Sequence, residues 1–241
     1  TKEPQLLREA EDFRALEESI WRRVDVVYYP SASETDAVKA VVPGVVARTV
    51  PLYYFNESDV MPGRELRQRT DLLFVAGFGH PPNVDAAKWL VQEIFPKVKH
   101  RQPGAFLTLA GSNPTDEVKA LASDSVRVTG YLSDAALDAL YKRAGVAVVP
   151  LRFGAGVKGK VLEALNQGVP MVTTSVGVQG LDGLDVVVPV HDESQAIADA
   201  ILRIMVDDDY WDRVSVDGRD FVLARFSQAA VRNVFTADIH V

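Results

Sequence analysis

The chain contains no cysteine, so disulfide staples, thiolate metal ligands and a cysteine nucleophile are excluded from its 241 residues. Histidine is scarce as well: His80, His100, His191 and His240 stand far apart and share no metal-ligand spacing. No apolar run approaches the ~20 residues that a membrane-spanning helix needs, and no secretory signal is visible. An excess of positive charge is also missing. The formal net charge is −7 and the lysines and arginines are dispersed, which removes the basic footprint of a nucleic-acid binder. That balance still suits a phosphorylated small molecule held by a few local cations. Internal repeats and low-complexity tracts are absent. What is present is an ordinary globular composition, 47% hydrophobic and 24% charged, with ample material for a core. The length permits one large or two small domains, and the chain reads as soluble and cytoplasmic. Thr1 is not an initiator methionine, so a missing upstream portion is expected.

The most informative stretch runs from Gly145 to Thr174, GVAVVPLRFGAGVKGKVLEALNQGVPMVTT. Val146 to Val149 is a short β-branched run that reads as a buried strand, which Pro150 stops. Gly154, Gly156 and Gly159 mark a loop of permissive backbone. Val157, Val161, Leu162 and Leu165 then fall at helical spacing, with Gly168 and Pro170 as stop signals. Met171 to Thr174 is a second strand. A glycine loop feeding a helix presents unpaired N–H groups at the positive end of the helix dipole, which suits a phosphate. Lys158 and Lys160 add charge there. Glu163, one turn further in, can accept hydrogen bonds from two neighbouring sugar hydroxyls, such as those of a ribose. The alternative is a plain turn with Lys160 and Glu163 as a solvated surface pair, worth little.

Elsewhere the pattern predicts helices over 5–22, from Ser31 or Ser33 to Val41, and strands over 24–29 and 45–54. The polar segment 56–70 reads as a linker. From Asp71 strands and helices alternate. The strands are 72–76, 105–110, 126–129, 146–149, 171–174 and 186–190. A long helix follows the loop 77–83, and others cover about 115–122, 134–143 with Ser133 as its cap, and the stretch after the glycine loop. Three more cover 193–206, 207 to about 225 with the acids Asp207, Asp208 and Asp209 at its start, and a last one capped by Ser227 to about Ile239. Alternation of this kind calls for a parallel sheet covered on both faces, an α/β doubly wound fold. Loops 77–83, 111–114, 130–132 and 150–159 would then gather at the carboxyl ends of the strands, where such sheets bind ligands. Asn83 is a candidate cap for the long helix, His80 reads as a solvated loop residue, and Trp89 and Trp211 as packing residues.

In this order the motifs resemble a known family. The run of about 71–225, with LLFVAGFGHPPNVDAAKWLVQEIFPKV, FLTLAGSNP, and VRVTGYLSDAALDALYKRAGVAVVPLRFGAGVKGKVLEALNQGVPMVTTSVGVQGL, is similar to the carboxyl-terminal, donor-binding domain of the retaining GT-B glycosyltransferases of family 4, the "group 1" glycosyltransferases. The resemblance implies a Rossmann-like fold and transfer of a sugar from a nucleotide-diphosphate sugar, in polysaccharide biosynthesis, to a carbohydrate or lipid-linked acceptor. It implies no cofactor beyond that substrate and no metal. Glu163 would hold the ribose. Lys158, Lys160 and the N–H groups of Gly154, Ala155, Gly156 and Val157 would face the diphosphate or the sugar. Gly77, Phe78 and Gly79 would close over the phosphates. Val128 to Leu132 would border the base, and Ser175 to Val178 the rim.

Two departures from the family pattern stand out. Many members carry a pair of glutamates, the first touching the transferred sugar; Glu163 fits the second, and Ala155 occupies the place of the first. The arginine and lysine that many members set against the diphosphate are not evident after Gly77, which leaves Lys158, Lys160 and Arg152. Arg152 serves equally well as a salt-bridge anchor for its loop. No catalytic residue is assigned. The implied organisation is a remnant of an amino-terminal acceptor domain at 1–55, a linker at 56–70, the donor domain at 71–225, and a last helix at 226–241 returning toward the amino-terminal half. Peripheral membrane contact would fall to the missing half. Competing readings are a nucleotide-sugar epimerase of the same fold and a non-catalytic nucleotide-binding α/β module.

Overall fold

The computed structural model describes residues 3–51, 54–56 and 68–236. The chain divides into two compact units, residues 1–54 with 228–241, and residues 55–227. The first unit opens with α1 (Glu3–Trp21), followed by β1 (Val27–Tyr29), α2 (Ala32–Val41) and β2 (Ala47–Thr49). Ser31 caps α2, its hydroxyl accepting from the Glu34 N–H at 3.3 Å. β1 and β2 pair in parallel over three residues each, far less than the strands expected at 24–29 and 45–54. Pro30 and Pro51 lack N–H donors, so the ladder ends beside them; residues 52–53 lie outside the described residues.

The second unit is built on five parallel strands: β3 (Gln68–Val75), β4 (Phe106–Ala110), β5 (Val126–Val128), β6 (Ala144–Val149) and β7 (Met171–Thr173). Their spatial order is β5-β4-β3-β6-β7. The chain winds outward from β3 through β4 to β5, then crosses back to β6. The gap between the carboxyl ends of β3 and β6 is therefore the topological switch point, where a doubly wound sheet leaves a crevice for a ligand. Every residue of β6 is buried, as a strand covered on both faces requires. β3 starts at Gln68, inside the segment read as a linker, because its first residues are needed to pair with Ala144; residues 57–67 lie outside the described residues.

Helices cover the sheet. One rod runs through α3 (Pro81–Trp89), a π-turn at Leu90–Ile94 and α4 (Phe95–Arg101). Pro96 explains the wide turn: it has no N–H to donate and its ring would crowd the carbonyl four residues back. After it come α5 (Asp116–Lys119), α6 (Asp134–Arg143, capped by the Ser133 hydroxyl), α7 (Gly159–Asn166), α8 (Ser194–Val206) and α9 (Asp208–Phe226). The Asp207 side chain caps α9 by accepting from the Tyr210 N–H at 2.9 Å. The last described helix, α10 (Gln228–Thr236), belongs to the first unit, where Phe235 packs on Tyr28. Its expected extension to Ile239 lies outside the described residues.

Two further expectations change. Residues 186–190 are not a strand. Gly183 turns the chain at φ 83°, a 3-10 turn takes Leu184–Val186, and Val190 makes a single parallel bridge to Thr173. The loop after β3 is also shorter than expected, because α3 already starts at Pro81. Proline needs no N–H partner and brings a helical φ, so Pro81-Pro82 begins the helix and does not delay it. Trp89 and Trp211 are buried packing residues, as expected, and the Trp211 indole donates to the Gly145 carbonyl at 2.9 Å.

Candidate functional site

The loop that leaves β6 is held open by its own backbone. Gly154 and Gly156 sit at φ 123° and 77°, conformations that side-chain-bearing residues rarely adopt. Among the described residues, none of the N–H groups from Gly154 to Lys160 donates to a protein acceptor. The first intrahelical bond of α7 is Val161 N–H to the Lys158 carbonyl at 2.9 Å. A run of free donors thus leads directly into a helix amino terminus. The floor of the loop is fixed from below, where the buried hydroxyls of Thr173 and Thr174 donate to the Val149 and Leu151 carbonyls at 2.8 and 2.5 Å.

Two lysines converge on this terminus. Lys158 is only 8% exposed and its ammonium donates to the Gly156 carbonyl. Burial lowers its pKa from the ordinary lysine value. The Lys160 ammonium donates to Asn83 Oδ1 at 2.5 Å and lies 5.5 Å from the centre of the Phe74 ring. Burial, with repulsion from Lys158, brings its pKa down to about 8, against a partial counter-effect from Glu163. Among the described residues neither ammonium is ion-paired to a carboxylate. Two desolvated cations without a carboxylate partner are costly, and they mark a place suited to an anion.

Glu163 stands one turn into α7, partly exposed, and accepts from the Tyr141 hydroxyl at 3.4 Å. Burial, together with the nearby Glu163 charge, pushes the Tyr141 phenol well above the usual tyrosine range, so it stays a neutral donor. Sequence reasoning missed Tyr141. It falls on the inward face of α6, where an aromatic residue reads only as core.

The other expected residues divide. The Phe78 ring is fully buried and meets Phe74 edge-on at 6.0 Å, so it does not line the crevice. Its N–H is also engaged, by the Ser112 carbonyl at 2.8 Å. What the 77–79 loop offers an anion is the N–H of Gly77 and of Gly79, neither of which donates to a protein acceptor among the described residues. Arg152 is held in a two-pronged pair with Asp85, at 2.9 and 2.5 Å, and lies over Trp89. It anchors the loop to α3, the structural role weighed for it. Ala155 is exposed, and Val157 packs against the core.

Asn83 is not the cap of α3. His80 occupies the cap position and makes no side-chain capping bond. Asn83, 8% exposed in the first turn of α3, donates to the Gly77 carbonyl at 2.8 Å and accepts from Lys160. The signal was in the sequence: with two prolines opening the helix, the cap must precede Pro81. Tyr131, on the loop after β5, is 81% exposed. On the loop after β7 the Ser175 N–H and hydroxyl donate to Asp192 Oδ1, at 2.9 and 3.0 Å. Among the described residues no group of three His, Cys, Asp or Glu side chains could hold a metal ion. No described helix is long and apolar enough to cross a membrane.

A doubly wound sheet with an anion-suited helix terminus at its switch point defines a class of Rossmann-like α/β domains. The particular family follows from comparison with known proteins. The family model described as "Glycosyl transferases group 1" matches residues 69–207, more than half of the chain, which therefore belongs to that family. A Klebsiella pneumoniae protein described as an uncharacterized 44.6 kDa protein in the cps region is 30% identical over 117 residues, covering 46% of this chain and 30% of the relative. Among solved structures, sucrose-phosphate synthase from Thermosynechococcus elongatus aligns over 92% of this chain and 61% of its own, with a TM-score of 0.69 and 21% identity. The pneumococcal O-GlcNAc transferase GtfA, solved with UDP and GlcNAc, aligns over 92% of this chain and 46% of its own, with a TM-score of 0.73 and 12% identity. The shared fold is that of the GT-B glycosyltransferases. The chain spans less than two thirds of each of these relatives.

Proposed function

We propose that residues 55–227 bind a nucleotide-diphosphate sugar as donor for a glycosyltransferase that retains anomeric configuration. The observation that carries this reading is the pair Lys158 and Lys160, desolvated yet without a carboxylate partner among the described residues, beside the free N–H run of residues 154–160. The diphosphate would take those donors and the two ammonium charges. Glu163, one turn further along α7, would accept from the ribose hydroxyls. During transfer the bond from the anomeric carbon to the diphosphate breaks and negative charge builds on the leaving oxygen. Fixed N–H dipoles and lysines stabilise that charge without reorganising. An acceptor hydroxyl, carbohydrate or lipid-linked, forms the new bond to the anomeric carbon, and its proton passes to the departing diphosphate oxygen. Retention rests on the resemblance of the loop–helix motif and is read from the anomeric NMR signal of the product. The GtfA relative, solved with UDP, makes uridine diphosphate the first probe.

Isothermal calorimetry with UDP, GDP, ADP and their sugars tests the donor assignment. One base should be preferred, and each diphosphate should bind more tightly than its nucleoside. No affinity for any of them would overturn it. The 241-residue chain spans 46–61% of the solved relatives' chains, so binding without turnover is expected of it alone. Addition of upstream sequence should restore transfer; equal turnover by the two chains would refute that expectation.

A further inference from the structure

We propose that Asn83 is a positioning residue for the anion site, its amide holding the Lys160 ammonium at the switch point by a neutral hydrogen bond while bracing the β3–α3 loop through Gly77. Only the identity of the anion rests on the donor reading above. The geometry leaves the amide one orientation. Lysine donates only, so the carbonyl oxygen must face Lys160 at 2.5 Å, and the Gly77 oxygen accepts only, so the NH₂ must face it at 2.8 Å. A flipped amide would set donor against donor and acceptor against acceptor. One side chain, 8% exposed, thus joins the loop after β3 to the first turn of α7.

The choice of a neutral partner has a consequence for the anion. A carboxylate at this position would pair with Lys160 and cancel the charge an incoming phosphate needs. An apolar residue would leave a desolvated ammonium without its acceptor, and the proton would leave more readily. The amide holds the cation in place and leaves its charge uncancelled. Other charges around Lys160 are accounted for: Lys158 opposes its ionisation, Glu163 on α7 supports it, and Asp85 on α3 is engaged by Arg152. The Phe74 ring from β3 covers a further side.

The test is the titration of Lys160 itself, read by NMR from the methylene carbon beside its amine in the ligand-free protein. The native midpoint is expected at about 8. Asn83→Asp should raise it by about 1–3 pH units, since a carboxylate favours the ammonium. Asn83→Ala should lower it. A residue that merely glues α3 to its loop would leave the midpoint unmoved in Asn83→Ala, and that result would overturn the proposal. Should Asn83→Ala fail to fold, Asn83→Leu, of similar size but without the acceptor, decides by a lowered midpoint. Inorganic pyrophosphate is the binding probe, and both variants should bind it roughly tenfold or more weakly. Pyrophosphate binding that weakens in this way, with no affinity for UDP, GDP or ADP, supports Asn83 in this role while refuting the nucleotide reading. Pyrophosphate affinity unchanged in both variants refutes the role of Asn83.

Discussion

At Lys160 the protonation state and the proposed ligand are coupled. Its folded pKa of about 8 lies below the ordinary lysine value of 10.5. Between those two values the unfolded chain holds more protons than the folded one, so this residue adds stability as pH rises through that window. Below about 8 the buried charge is fully formed and its desolvation cost is complete. Anion binding runs the other way. A diphosphate holds the ammonium proton, so affinity is full below about 8 and falls above it, by up to roughly tenfold per pH unit. Calorimetry in buffers of different ionisation enthalpy should show proton uptake on binding above that point. A flat pH profile for UDP across it would remove Lys160 from the site. Glu163 predicts a different outcome. Glu163→Ala should cost two charge-assisted bonds to ribose, each about 1.5–3 kcal/mol before compensation. The melting temperature should hardly move, because the Tyr141 hydroxyl reaches its side chain only at 3.4 Å, a long hydrogen bond. Unchanged nucleotide affinity in that variant would exclude it from the ribose contact.

At the scale of elements, the crevice depends on how β6 lies against β3. A Cβ at Gly145 would stand 2.4 Å from the Gln68 carbonyl oxygen and 2.6 Å from Arg69 Cα, both backbone. This contact falls where the β3–β6 register shifts, between Gln68 and Leu72. Gly145→Ala should force the two strands apart and cost at least the ~1–3 kcal/mol typical of overpacking, read as a lower denaturant midpoint. Because both strands lead into the loops of the switch point, UDP affinity should fall with it. A variant as stable as the native chain would show that the strands can part there freely. Gly111 is constrained in the same way: at φ 144° its Cβ would meet the Ala76 carbonyl oxygen at 1.9 Å. The loops after β3 and β4 can approach each other only because no side chain stands between them.

For the molecule as a whole, the residues of the proposed donor site all lie within residues 55–227, one of its two compact units. That unit carries the five-stranded sheet and its own large apolar core. Residues 55–227 expressed alone should therefore fold and bind UDP with an affinity within about twofold of the 241-residue chain, a difference of less than ~0.5 kcal/mol. A loss much larger than that would place part of the nucleotide site in the other unit.

Much of this was legible along the chain, for identifiable reasons. Burial of β6 on both faces writes itself as a continuous apolar run, and the glycines at 154 and 156 mark backbone that only glycine adopts readily. Ser133 announces its helix because capping is a local bond between near neighbours, and the acids from Asp207 announce theirs because the helix dipole favours negative charge at its start. The ends of strands were less legible. Residues 186–190 have strand composition, but pairing is decided by what lies alongside, and among the described residues they make a single isolated bridge, Val190 to Thr173. The roles of Phe78, Asn83, Arg152 and Tyr141 depended on tertiary structure alone. Phe78 stands in a loop that looked ready to cover a ligand, yet its ring fills the core under β3. Asn83 and Lys160 are 77 positions apart and Tyr141 and Glu163 are 22 apart, so no local pattern joins either pair. The sequence by itself determined the alternation of elements and the placing of charge at the start of α7, because both follow from neighbours along the chain. Which partner each side chain keeps, and hence which cations remain uncancelled, was decided only when folding brought β3, α3, α6 and α7 together.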